Sequence, residues 1–318
     1  MKQGFVKVAS ATPRIRVADP VYNAQVICEQ AKEAAEHGAK IVVFPELCIT
    51  GYTCNDLFLQ ELLLEKAKEA LLTIAEETGQ LETLFLVGLP VDKDGRLYNV
   101  AAVLYRGRIL GMIPKKNIPM YAEFYEGRHF TPGEETVTEY RLGKQVIPFG
   151  SNLLFRCEEL PELILGCELC EDLWVAEPPS TSHALMGATV IANLSASNET
   201  VSKDDYRTLL IKASSARLLC GYIYTSAGEG ESTQDLVFGG HDLIAENGTL
   251  LVQSARFTTG ILYTDLDVLK ISSERRRMGT FGKRPMKPYL TVPFSMQLTG
   301  TKPVSYTHLR AHETELHL

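Results

Sequence analysis

Three residues of different chemistry end apolar, strand-like runs: Glu46 after Val43-Phe-Pro, Lys115 after Ile113-Pro, and Cys170 after Leu163-Ile-Leu-Gly-Cys-Glu-Leu. At a strand end a side chain can face a ligand instead of the core. A thiol placed there is a candidate nucleophile; it needs a base to take its proton and donors to hold the oxyanion formed on attack. Glutamate and lysine supply those services, so the three strand ends suggest one acyl-transfer site. Plainer readings stand beside this one: Glu46 as a turn cap, Lys115 or the adjacent Lys116 as surface charge, Cys170 as a buried thiol. Composition does not choose between the two lysines. Cys167-x-x-Cys170 is also half of a zinc or redox motif, but the remaining cysteines offer no second pair, and no metal is expected. Cys167 is expected in the core.

The elements that must position these residues alternate in type. Asp19-Pro20 caps a helix to about His37, with Val21, Ala24, Ile27, Ala31 and Ala34 at helical spacing. Lys40 to Phe44 is apolar on both faces, as a central strand should be. A helix from about Leu57 to Thr78 and a strand from Leu84 to Leu89 follow. Asn99 to Tyr105 and Arg108 to Ile113 form a hairpin around Arg106-Gly107, and Tyr121 to Gly133 is a long loop of the kind that builds sites. Short strands are expected at 137–141, 145–147 and 152–156. A helix from Pro178 to Met186 and a strand over 188–192 come after Trp174. Residues 194–202 are a polar loop, and Asp204 caps a helix to Cys220. Gly221 to Thr225 is strand-like, and Asn247-Gly248 joins two further strands. Gly228 to Thr233 lacks the ordering of a phosphate loop and is expected to be structural. Strands alternating with helices, with hairpins among them, give an α/β fold with mixed sheets.

The 318 residues suffice for a large core, and 45% hydrophobic with 22% charged residues is ordinary for a globular protein. A net charge of −7 argues against nucleic-acid or anionic-membrane binding. The N-terminus runs almost directly into a strand, without a signal-peptide or membrane-span pattern. Seven irregularly spaced cysteines suit a reducing cytoplasm.

Phe44-Pro-Glu46, Pro114-Lys115 with Ile118-Pro119, and Cys170-Glu-Asp172 resemble the Glu–Lys–Cys triad of the nitrilase superfamily. The flanking text narrows the resemblance. Glu46-Leu-Cys-Ile-Thr-Gly-Tyr52, Phe124-Tyr-Glu-Gly-Arg128, Cys170-Glu-Asp-Leu-Trp174, Asn193-Leu-Ser-Ala-Ser197, Gly228-Glu-Gly-Glu-Ser-Thr233 and Arg277-Met-Gly-Thr280 are similar to the glutaminase domain of glutamine-dependent NAD⁺ synthetases. The match covers roughly residues 1 to 300.

That resemblance implies an αββα sandwich with two mixed sheets between helix layers. It implies Glu46 as base and acid, Lys115 as the catalytic lysine, Cys170 as nucleophile and Glu126 as a fourth acid orienting the lysine. The Glu171 amide is expected to be a second oxyanion donor. Tyr52, Tyr121, Glu171 and Ser197 match positions that hold glutamine, and Lys203 stands where many relatives have arginine, keeping the charge without the bidentate geometry. The implied activity is glutamine hydrolysis supplying ammonia for amidation of deamido-NAD⁺. Free-standing amidases or carbamoylases of the same superfamily are the alternative, followed by a non-catalytic module.

The expected layout is residues 1–270 as glutaminase, 271–302 as a basic, solvated linker towards an absent ATP-dependent synthetase domain, and 303–318 as a non-native tail. That tail holds three of the seven histidines, and Val304 to Thr314 resembles translated sequencing-adapter DNA. The Ser-Gly-Gly-x-Asp-Ser pyrophosphate loop of the synthetase domain is missing. ATP and Mg²⁺ are therefore expected only for the absent domain. Glutamine, that domain and further copies in a homo-oligomer are the expected partners.

Overall fold

The computed structural model describes residues 4–282 and 288–297. The basic stretch 283–287 and the segment 303–318 lie outside the described residues. Among the described residues fifteen strands follow in chain order: β1 (Phe5–Thr12), β2 (Ile41–Val43), β3 (Leu84–Lys93), β4 (Arg96–Tyr105), β5 (Arg108–Pro114), β6 (Thr138–Leu142), β7 (Gln145–Phe149), β8 (Leu153–Cys157), β9 (Ile164–Leu169), β10 (Val190–Ser195), β11 (Gly221–Ser226), β12 (Leu243–Glu246), β13 (Thr249–Gln253), β14 (Gly260–Asp267) and β15 (Leu290–Phe294). The α-helices are α1 (Pro20–Glu36), α2 (Glu61–Glu77), α3 (Pro179–Leu185), α4 (Lys203–Leu218) and α5 (Val268–Arg277).

The strands form two mixed sheets, ordered β14-β1-β2-β3-β4-β5-β7-β6 and β13-β12-β11-β10-β9-β8-β15. Val6, Val8, Ile41, Val43, Leu84 and Leu86 of the first sheet pack on Leu165, Cys167, Val190, Ala192 and Ile223 of the second, all buried. Their alternate neighbours face helices. Val42, Phe85 and Val87 meet Ala24, Ile27, Ala67 and Leu71 of α1 and α2. Ile191, Tyr222 and Tyr224 meet Ala184 of α3 and Ile211 and Leu218 of α4. A strand buried on both faces reads as an apolar run, which is why β2 is apolar throughout and β10 opens Val190-Ile-Ala before its polar Asn193 and Ser195. The layering is helix, sheet, sheet, helix, as the resemblance implies.

Several local expectations need correction. The segment Tyr52–Leu59 is 3-10 helix with a non-helical break at Asn55, so α2 starts at Glu61 rather than near Leu57. Ser202, left-handed at φ 64°, precedes α4, and Asp204 lies inside the helix instead of capping it. The solvated-linker reading of 271–302 does not describe α5 or β15. Arg275 in α5 donates to the carbonyls of Leu218, Leu219 and Ala188 at 2.9, 2.9 and 2.6 Å. β15 pairs parallel with β8 and closes the edge of the second sheet. Pro293 fits there because an edge strand need not donate from every residue.

Candidate active site

β2 ends one residue before Phe44-Pro45, and the chain then turns so tightly that Glu46 is fully buried. Gly88 of β3 makes room for that turn: a Cβ there would lie 2.3 Å from the Leu47 amide nitrogen and 2.6 Å from the Pro45 carbonyl oxygen. Glu46 Oε2 accepts from the Ala196 amide at 2.9 Å, just past the end of β10. Its Oε1 accepts from Asn99 Nδ2 at 2.7 Å and Lys115 Nζ at 2.6 Å. Lys115 follows β5, fully buried, and reaches on to Glu126 Oε1 at 2.5 Å. Lys116 points the other way and pairs with Glu135 at 2.6 Å at the surface. Successive side chains of an extended segment face opposite sides, and this settles which lysine belongs to the site.

Cys170 starts a short 3-10 turn after β9 and sits in the left-handed region at φ 38°. For a residue with a Cβ this conformation costs of order 1 kcal/mol, so the surroundings must hold it. Asn193 Oδ1 accepts the Cys170 amide at 3.1 Å. Asp172 accepts the Leu169 amide at 3.1 Å and both Asn117 nitrogens at 2.8 and 2.7 Å, which ties the Cys170 turn to the loop after Lys115. The Glu171 amide belongs to the first turn, whose N–H groups find no partner within the turn. That leaves it suited to an oxyanion.

Cys170 lies in a cavity of about 430 Å³ with Tyr121, Phe124, Glu171, Trp174, Ser197, Lys203 and Tyr206 on its walls. The Tyr121 hydroxyl donates to Glu171, 3.0 Å from each carboxylate oxygen. Lys203 donates to Asn198 Oδ1, and its ammonium lies 5.4 and 5.3 Å from the ring centres of Phe124 and Trp174. Tyr52 is not on this cavity. Its hydroxyl donates to Glu126 at 2.7 Å, so it braces the acid behind the lysine, where it was expected to touch substrate.

Burial raises the Glu46 carboxyl to about 7, against the pull of Lys115. Burial also works against charge on Lys115, yet Glu126 and Glu46 overcome it and hold the ammonium well above its ordinary value. The Cys170 thiol is pushed far up by burial and by Glu46, with Lys115 opposing. At rest the group is therefore a neutral thiol beside a carboxylate poised to take its proton. The Ala196 amide favours the thiolate as well as holding Glu46, so one donor serves both reacting groups.

Sequence reasoning missed Asn99, Asp172 and the Ala196 amide. Asn99 is a polar residue inside the apolar run of β4, a detectable signal; a backbone amide leaves none. Glu231 was also missed. Inside the loop expected to be structural, it is buried, accepts the Tyr52 amide at 2.7 Å and is raised by burial to about 8. Among the described residues no group of three or more His, Cys, Asp or Glu is arranged to hold a metal ion. No described helix is long and apolar enough to cross a membrane.

The sequence pattern of the family described as carbon-nitrogen hydrolase matches residues 7–276. A glutamine-dependent NAD(+) synthetase of Mycobacterium tuberculosis is 43% identical over 282 residues, covering 88% of this chain and 42% of that protein. The Mycobacterium leprae synthetase is 40% identical over 303 residues, covering 93% and 45%. The chain thus spans less than half the length of these curated relatives. Among solved structures, a glutamine-dependent NAD(+) synthetase from Cytophaga hutchinsonii aligns with a TM-score of 0.75 at 28% identity, over 82% of this chain and 43% of that one. An amidase from Nesterenkonia sp. aligns with a TM-score of 0.66 at 21% identity, over 87% and 96%, a likeness of fold. With its Glu–Lys–Cys cluster at the strand ends of a two-sheet sandwich, the chain belongs to the carbon-nitrogen hydrolase family.

Proposed function

We propose that this chain hydrolyses the side-chain amide of glutamine to glutamate and ammonia, and that it is the ammonia-supplying part of a glutamine-dependent NAD⁺ synthetase. The observation that carries the reading is the division of charge around Cys170. Buried Lys115 is already neutralised by Glu46 and Glu126, while Glu171 and Lys203 on the cavity wall remain to take an α-ammonium and an α-carboxylate. Ser197, on the same wall, is a further donor for that carboxylate.

In the proposed reaction Cys170 Sγ attacks the amide carbon as Glu46 takes the thiol proton. Lys115 and the Glu171 amide hold the oxyanion, which removes the need for charge to reorganise during attack. The C–N bond breaks as Glu46 returns the proton to nitrogen, and ammonia leaves a thioester. Water, deprotonated by Glu46, then attacks the thioester carbon; glutamate departs and the thiol is restored. Tyr52 and Asn99 keep Glu126 and Glu46 in place and take no proton. Amidation of deamido-NAD⁺, with its ATP and Mg²⁺, is assigned to a synthetase domain of the longer protein. A homo-oligomer in the cytoplasm, with no nucleic-acid or membrane partner, is part of the same reading.

The test is peptide mass spectrometry after exposure to a diazo-ketone analogue of glutamine, with a Cys170→Ala variant and excess glutamine as controls. Labelling confined to Cys170 and blocked by glutamine supports the reading. A Cys170 that ignores the analogue but reacts with a simple alkylator sinks it, and a panel of small amides and carbamoyl compounds then tests the amidase or carbamoylase alternative.

A further inference from the structure

The turn that carries Cys170 is held from behind by a buried chain of hydrogen bonds that takes no part in the reaction above. The Cys170 amide donates to Asn193 Oδ1 at 3.1 Å, and Ser195 Oγ donates to the same oxygen at 2.7 Å. With its oxygen committed, Asn193 directs Nδ2 to the Tyr222 hydroxyl oxygen at 3.1 Å. The Tyr222 O–H then points onward and donates to Glu168. The other carboxylate oxygen of Glu168 accepts the Ser180 amide at 2.8 Å. The chain crosses three parallel strands, β9, β10 and β11, and Glu168, Asn193, Ser195 and Tyr222 are all buried.

With Glu168 ionised every link has a fixed direction, because a carboxylate only accepts while a side-chain amide accepts at one end and donates at the other. Reversing Asn193 would set its NH₂ group against the Cys170 N–H, and would leave the Tyr222 oxygen without its donor. Glu168 at the far end is what makes that reversal unfavourable. A buried chain of this kind is costly to leave half satisfied, so its links act together.

We propose that Glu168, acting through Tyr222 and Asn193, is a positioning residue for the nucleophile: it fixes the Asn193 amide that holds the Cys170 N–H in the sheet and thereby keeps the thiol turned into the cavity. The inference rests on Cys170 being the nucleophile and not on glutamine being its substrate. It also gives a reason for the left-handed backbone of Cys170, which the neighbouring chain over-determines.

The test follows alkylation of Cys170 by iodoacetamide in the full chain, read by peptide mass spectrometry, in the wild type, Tyr222→Phe, Asn193→Leu and the double variant. Tyr222→Phe removes one oxygen and is expected to slow alkylation about tenfold, with the near-ultraviolet circular dichroism of the wild type retained. The double variant should be no slower than Asn193→Leu alone, because both break one chain. Ile74→Val, which loosens the packing of α2 on the other sheet, should lower Tm without slowing alkylation. A Tyr222→Phe rate equal to wild type, or two defects that multiply in the double variant, overturns the proposal. No substrate enters this measurement, so a chain that shows the expected pattern yet leaves glutamine intact keeps the positioning role and loses the substrate assignment. Where glutamine is hydrolysed, the loss in Tyr222→Phe falls on kcat, with KM unchanged.

Discussion

Lys115, in a buried floor of charge that is not among the residues lining the cavity, has no exposed surface and is held by two carboxylates at 2.6 and 2.5 Å, whereas Lys203 on the wall is held by neutral groups, an amide oxygen and two ring faces. The same residue type therefore does two different things. On the floor the charge is compensated before any ligand arrives, so its position, not its attraction for substrate, is what the fold supplies. On the wall burial weakens the ammonium's hold on its proton, and no carboxylate among the described residues is bonded to it, which in the proposed function leaves a ligand's own anion to complete the pair. The acids divide likewise. Glu46 is buried among donors, while Glu171 is half-buried and braced by the half-exposed Tyr121.

The sharpest way to break this comparison is Lys115→Met. It removes the proposed oxyanion donor and is expected to cost about 10³ in turnover. It also leaves Glu46 and Glu126 buried without their cation, for a loss of about 3 kcal/mol or more in stability by denaturant melts. The pH dependence has a definite sign. Glu46 keeps its proton to about 7 when folded against 4.5 in its ordinary state, so its contribution to stability is full below 4.5 and is lost as pH rises through about 7. In Lys115→Met that loss moves to higher pH, because the cation that lowers the carboxyl is gone. An Lys115→Met protein as stable and active as wild type would show that the floor is not a preorganised charge cluster.

Lys203→Ala tests the wall, with an expected rise in KM for glutamine of roughly tenfold to a hundredfold and little change in kcat. A fall in kcat at constant KM would place Lys203 with the floor instead. Asn99→Leu is expected to be milder. The activity limb that rises as Glu46 ionises near pH 7 should move to higher pH, since the amide donor that lowers this carboxyl is lost, and the rate at pH 7 should drop several-fold. Tyr121→Phe is the smallest: Glu171 loses one exposed donor, and KM is expected to rise about threefold, measured by steady-state ammonia release.

The order of helices and strands was legible because burial imposes a pattern: β2 is apolar throughout and β10 opens Val190-Ile-Ala, the Asp19 side chain caps α1 by accepting the Tyr22 amide, and Asn247-Gly248 turns the chain through positive φ. The edge strand β15 was not legible, because its residues read as an exposed, Pro-containing run until β8 offers them a partner. Cys170, Glu46 and Lys115 were nameable from residue type and position at strand ends, together with the motifs around them.

What the sequence by itself determined is thus the chemistry on offer, a thiol, an acid and an ammonium at three strand ends, and the periodicities that bury the sheets. Tertiary structure alone decided the distances at which the three ends converge, that Tyr52 braces Glu126 instead of lining the cavity, and that a backbone amide at Ala196 serves both Cys170 and Glu46. The reason is that these are properties of pairs far apart in the chain. Residue type and local pattern set what each side chain can do, but the 2.9 Å from the Ala196 amide, just past β10, to Glu46, just past β2 of the other sheet, exists only once the sheets have packed.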